Sequence, residues 1–226
     1  MILIKDNLML KYMKKRSEQE QQQIIMVKQE EALSLPSLGL DLSSNPSDPR
    51  AIWLTTEVYP ETIAPVIQQI NDINYQDSRK EKEYQADGQF YIRQPIKLYV
   101  SSYGGSVYDG FGLLGAISSS KTPIHTIAFG KVMSMGFMIA ISGHKRFAYP
   151  HTTYMFHSLS NMAWGKVMDI QESAEENTRL QNKLDTVVTT RTLITQERLD
   201  EVHTRKFDWY FDSNNALELE CVDEII

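Results

Sequence analysis

Three residue types in this chain could together cut an acyl bond: a serine, a histidine and an aspartate. Ser134 lies within Gly130–Gly143, GKVMSMGFMIAISG, where a strand-like run gives way to an apolar one. Acyl transfer needs a hydroxyl nucleophile, an imidazole to take its proton and a carboxylate to hold that imidazole in the right tautomer. His157, at the end of the strand pattern Thr152–Phe156, is the candidate imidazole, and a later aspartate would complete the set. Two amides must also face the developing oxyanion. Met135, next to the serine, and Gly105, in the glycine-pair turn SSYGGSV of residues 101–107, could supply them. Each residue also has a plainer reading. Serine is a favoured helix cap, a histidine's two nitrogens readily find structural partners, and paired glycines make a tight turn. A serine–lysine pair using Lys131 or Lys145 is a further option.

The elements that would position these groups alternate between strands and helices, which makes an α/β fold. Arg50–Val58 reads as a strand. Pro60 opens a helix with Ile63, Val66, Ile67, Ile70 and Ile73 at helical spacing. Tyr75–Gln94 is polar and charged through its first half and reads as an exposed insertion or loop. Ile96–Val100 is a second strand, Tyr108–Ser119 an amphipathic helix, and Thr122–Phe129 a buried strand leading to Ser134. Phe137–Ile141 is apolar on every side, as a short core helix would be. Arg146–Tyr149 and Thr152–Phe156 are short strands, and Gly165 to about Thr192 is a long helix with one apolar stripe. Thr195 caps a further helix to about His203; an aromatic turn from Phe207 to Asp212, a short helix and a last strand finish the chain.

At 226 residues the chain holds one good-sized domain and a tail. Residues 1–48, rich in Glu, Gln and Lys and then in Ser, Pro and Asn, read as a flexible tail or pro-segment ahead of a domain over 49–226. No apolar run approaches the roughly 18 residues of a membrane span, so no membrane partner is expected. A net charge of −6 argues against nucleic acid as a partner. The single cysteine, Cys221, suits a reducing compartment. Scattered histidines without a paired-ligand motif give no metal site, and without a GxxxxGK[ST] loop no nucleotide-hydrolysing engine is expected. No cofactor is called for.

Taken in order, SYGGSV, GKVMSMG, YMFHS and DWYF followed by ALELECVDEI resemble the proteolytic subunit of the Clp protease, from about Arg50 to the C-terminus. The resemblance implies the α/β, ClpP/crotonase-like spiral of ββα units with a protruding handle helix at about 165–192. It also implies an ATP-dependent serine endopeptidase with no cofactor or metal. Ser134 would be its nucleophile and His157 its base. Counting back from Val222-Asp223 without gaps gives Asp208 as the aspartate, with Asp212 the nearest rival and Asp200 a distant one. Gly105 and Met135 would form the oxyanion hole. Gly104 would permit close backbone approach, and Val107 would pair with an extended substrate. The implied partners are polypeptide substrates, a Clp-type AAA+ ATPase, and copies or paralogues in heptameric rings stacked as a double ring. The implied compartment is a cytoplasm or an organelle stroma such as a plastid's. Tyr99 would line the docking cleft for the ATPase, or be an ordinary strand aromatic. The chain departs from the family where Ser101 and Tyr103 replace an Asn and a Pro, and where Ser158-Leu159-Ser160-Asn161 replaces a Gln-Pro and glycine-rich bend. Two other classes remain open: a non-catalytic ring subunit and a crotonase-type acyl-CoA enzyme.

Overall fold

Short β-branched and aliphatic runs form the strands. In chain order, β1 is Ala51–Leu54, β2 Ile96–Ser102, β3 Ile124–Met133, β4 Lys145–Ala148, β5 Thr153–Phe156, β6 Trp209–Asp212 and β7 Glu224–Ile225. The computed structural model describes residues 48–160 and 164–226. The tail or pro-segment expected over 1–48 therefore lies, apart from Asp48, outside the described residues. Strands β1-β2-β3-β4-β7 run in that order and all parallel; β5 pairs with β3, and β6 pairs antiparallel with β5. The fold is α/β with a mainly parallel sheet, as the alternation of patterns predicts.

One strand serves two neighbours, and that sets up the site. The first half of β3 lies between β2 and β4, while Lys131–Met133 pairs with Thr153–Met155 of β5. Between Val100↔Ala128 and Ser102↔Val132, β3 spends four steps to the two of β2. Gly130, at φ +63°, sits in this bulge and bends the strand toward β5. The bent end delivers Ser134 to the sheet edge.

The helices are α1 Pro60–Ala86, α2 Val107–Ser119, α3 Met135–Ile141, α4 Val167–Arg191, α5 Gln196–Arg205 and α6 Ser213–Glu218. Every residue of α3 is buried, so its all-round apolarity is met by core on all sides. Phe137 meets Tyr154, Phe156 and Phe211 edge-on at 5.8–6.3 Å between centroids. In α4 the apolar stripe divides. Leu180, Leu184 and Val188 are buried, whereas Val167, Met168 and Ile170 near its start are exposed.

Two stretches differ from the sequence reading. Tyr75–Gln94 is no exposed loop at its start, because α1 continues to Ala86. Its polar residues bind inward: Asp77 is buried and accepts from Arg50, from Thr122 Oγ1 (2.7 Å) and from the Tyr91 hydroxyl (2.7 Å). Asn74 accepts from the amides of Lys121 and Thr122, both at 3.0 Å. The aromatic turn expected over Phe207–Asp212 is largely strand β6, which completes the pairing of β5. Among the described residues no helix is long and apolar enough to cross a membrane.

Candidate active site

The turn from β3 into α3 is strained at its serine. Ser134 has φ 51° and ψ −122°, a region that costs a non-glycine residue about 1–3 kcal/mol. Its backbone is held by its own amide donating to Met155 O (2.9 Å) and by its carbonyl accepting from Phe137 N (3.0 Å). Its side chain bonds no helix amide, so the plain capping role does not apply. The neighbouring glycines are sterically required. A Cβ on Gly136 would lie 2.9 Å from Ser102 O, and one on Gly104 would lie 2.7 Å from Ser134 Cβ. Gly104 thus lies behind the serine and lets the glycine turn pack against it.

Strand register brings the histidine and aspartate together. Since Phe156 opposes Trp209 in the antiparallel β5–β6 pair, the next position out sets His157 against Asp208. His157 Nε2 lies 2.8 Å from Ser134 Oγ, and its Nδ1 lies 3.6 Å from Asp208 Oδ1. The second distance is beyond a direct hydrogen bond, and the Asp208 side chain is 52% exposed. The rival carboxylates are engaged elsewhere. Asp212, which opposes Thr153 roughly 14 Å along the strand, caps α6 by accepting from Asn215 N at 2.9 Å. Asp200 accepts from Gln196 Nε2, also at 2.9 Å. The lysines of the alternative pair are also occupied: Lys131 lies over the Tyr103 ring, and Lys145 pairs with Glu224 at 3.7 Å.

Gly105 and Met135 border the same cleft. Met135 is the first residue of α3, where an N–H has no intrahelical acceptor. Val58 N donates to Gly104 O (2.8 Å) and Ser106 N to Val58 O (2.7 Å), so Val58 occupies one side of the turn. The amide of Gly105 itself is thereby directed to the other side. Gly105, Met135, Ser134 and His157 all line a cleft of about 350 Å³. Val107, the first residue of α2, lines it too. Met138, Met155 and Leu184 give the cleft its apolar wall. Among the described residues no cluster of His, Cys, Asp or Glu could hold a metal.

A serine hydroxyl on a strained strand–helix turn, 2.8 Å from an imidazole nitrogen, is a feature that serine hydrolases use. The chain belongs to the Clp protease family, whose model matches residues 40–226. It is 30% identical over 179 residues to ATP-dependent Clp protease proteolytic subunit 1 of Prochlorococcus marinus (strain MIT 9312), covering 78% of this chain and 84% of that protein. To the protein of the same name from strain NATL2A it is 34% identical over 132 residues, covering 58% of this chain and 66% of the relative.

The sequence reading missed a polar cluster behind His157, made by Ser158, Gln181, Asp185 and His203. Its one available signal was the four-residue spacing of Gln181 and Asp185 on a helix.

Proposed function

We propose that this chain is a serine endopeptidase subunit that hydrolyses unfolded polypeptides to short peptides. The observation that carries this is the 2.8 Å contact between Ser134 Oγ and His157 Nε2 at a strained elbow, in a cleft that Gly105 and Met135 also line. Ser134 Oγ attacks the peptide carbonyl while His157 Nε2 takes its proton. The oxyanion is received by the amides of Gly105 and Met135. His157 then gives the proton to the leaving amine, and water, deprotonated by the same imidazole, releases the acyl-enzyme. Asp208, 3.6 Å from Nδ1, stabilises the imidazolium. No cofactor takes part.

The exposed start of α4, with Val167, Met168 and Ile170, supports a role as the handle that packs against other subunits in heptameric and double rings. An aromatic cluster spread across β1, β2 and β3 supports docking of a Clp-type AAA+ ATPase. There Trp53 stacks on Tyr99 at 4.0 Å and is 56% exposed, with Phe129 edge-on to it. The compartment would be a bacterial cytoplasm or a plastid stroma, as the Prochlorococcus marinus relatives favour.

A fluorogenic peptide and a fluorophosphonate probe test the proposal. Wild-type protein should cleave the first and react with the second, and Ser134→Ala should do neither. Folded wild-type protein inert to both would leave the non-catalytic ring subunit as the better account.

A further inference from the structure

We infer that Asp185 of α4 is the hub of a positioning device that fixes the segment following His157 and so shapes the substrate-facing wall of the cleft; this rests on the peptidase reading above. Asp185 is buried, with its side chain 8% exposed, and its carboxylate gathers three donors. Gln181 Nε2 donates to Oδ1 at 2.8 Å, Gln196 Nε2 to Oδ2 at 3.4 Å, and His203 Nε2 lies 3.0 and 3.1 Å from the two oxygens. A carboxylate accepts only, so His203 Nε2 carries a hydrogen, and in the neutral ring Nδ1 is then the acceptor. Nδ1 lies 2.8 Å from Ser158 Oγ, which therefore donates to it. The His203 ring also rests against Phe156, the residue before the catalytic histidine.

A second arm leaves the same hub. Gln181, its amide oriented by Asp185, accepts from the backbone N–H of Leu159 through Oε1 at 2.6 Å. Ser158 and Leu159 are thus each tied to Asp185 through one intermediary. Leu159 and Ser160 line the cleft beside His157, so the ties act on the surface a peptide would touch. The cluster copies the residue types of a Ser–His–Asp triad, but it supplies orientation. His203 uses the opposite nitrogens to those His157 uses, and the Ser158 hydroxyl is taken up by the ring. These residues are positioning residues. They tie down Ser158 and Leu159, the two residues that follow His157.

The two arms can be cut without touching the reacting atoms. Gln181→Ala removes the tie to Leu159, Ser158→Ala removes the tie to His203, and Ser158→Thr keeps the hydroxyl. Each arm is one hydrogen bond, so each cut should raise KM for a fluorogenic peptide about three- to tenfold. The labelling rate of Ser134 by a small fluorophosphonate, which does not need the extended wall, should stay within about twofold. Ser158→Thr should restore the wild-type KM, and amide exchange at Leu159 should quicken in Gln181→Ala. An unchanged KM and unchanged Leu159 exchange would overturn the inference. So would equal losses of KM-independent turnover, labelling rate and melting temperature, which would mark the cluster as fold support alone. Wild-type protein that never labels at Ser134 contradicts the peptidase reading instead; exchange at Leu159 then decides the anchor by itself.

Discussion

Replacing Gly104 with alanine presses one methyl group into the back of the elbow. The backbone there has φ +100°, and the new Cβ would lie 2.7 Å from Ser134 Cβ, 2.8 Å from Met135 N and 2.9 Å from Met133 O. None of these atoms is the free end of a flexible side chain, so the elbow itself must retreat, by roughly half an ångström to an ångström to regain ordinary contact. The positive φ alone costs alanine about 1–2 kcal/mol. At about 2–4 °C per kcal/mol for a domain of this size, the melting temperature should fall by about 2–8 °C. Activity should suffer far more. A shift of about 1 Å in a reacting group costs about a hundredfold, and loss of one oxyanion donor costs about 10²–10³. We expect kcat for a fluorogenic peptide to fall about 10²- to 10³-fold with KM nearly unchanged. Gly115→Ala is the matched control. Its Cβ would meet nothing within 4 Å, and within a helix it should add about 0.5–1 kcal/mol of stability without affecting turnover. A folded Gly104→Ala protein with kcat within about threefold of wild type would refute the reasoning.

Other consequences can be checked alongside. Asp208→Asn should lower kcat at least about a hundredfold, whereas Asp212→Ala should leave kcat intact and cost about 1 kcal/mol as a lost cap, read by urea denaturation. The Asp77 carboxyl is pushed up by burial, but hydrogen bonds from Arg50, Thr122 and Tyr91 outweigh this and hold it below its ordinary value near 3.8. Its contribution is therefore complete above about pH 4 and lost as pH falls through the lower folded-state value. Asp77→Ala should accordingly cost about 3–5 kcal/mol at pH 7, and the gap from wild type should narrow toward pH 3 in denaturant titrations. Burial pushes the Cys221 thiol up to about 12, so an aromatic disulfide reagent at pH 8 should react only after denaturation. Rapid reaction with the native protein would show that the C-terminal layer opens.

Local patterns carried much of the fold because they reflect what each element buries. Period-3.6 isoleucines located the start of α1, the all-apolar run located α3, and Thr195 does cap α5, accepting from Arg198 N. What they missed has one physical cause: polar residues satisfied by distant partners look solvated in sequence. Asp77 and Arg93 helped Tyr75–Gln94 read as a loop, although their partners Arg50, Thr122 and Glu81 turn that polarity inward. The site divides in the same way. Ser134 and the glycines announced themselves through a junction with little steric room, and His157 through the end of a strand. Asp208 could be picked over Asp212 only by resemblance, because the deciding fact is the Phe156↔Trp209 register, a long-range pairing. The Asp185 hub joins two helices to a loop, and no local period encodes that.

The central claim is that Ser134 is a nucleophile activated by His157. Peptide mapping by mass spectrometry after fluorophosphonate treatment tests it most directly. The account predicts one adduct, on the peptide containing Ser134, absent from Ser134→Ala and formed far more slowly in His157→Ala. An adduct on another residue, or one that forms at the wild-type rate without His157, would contradict it.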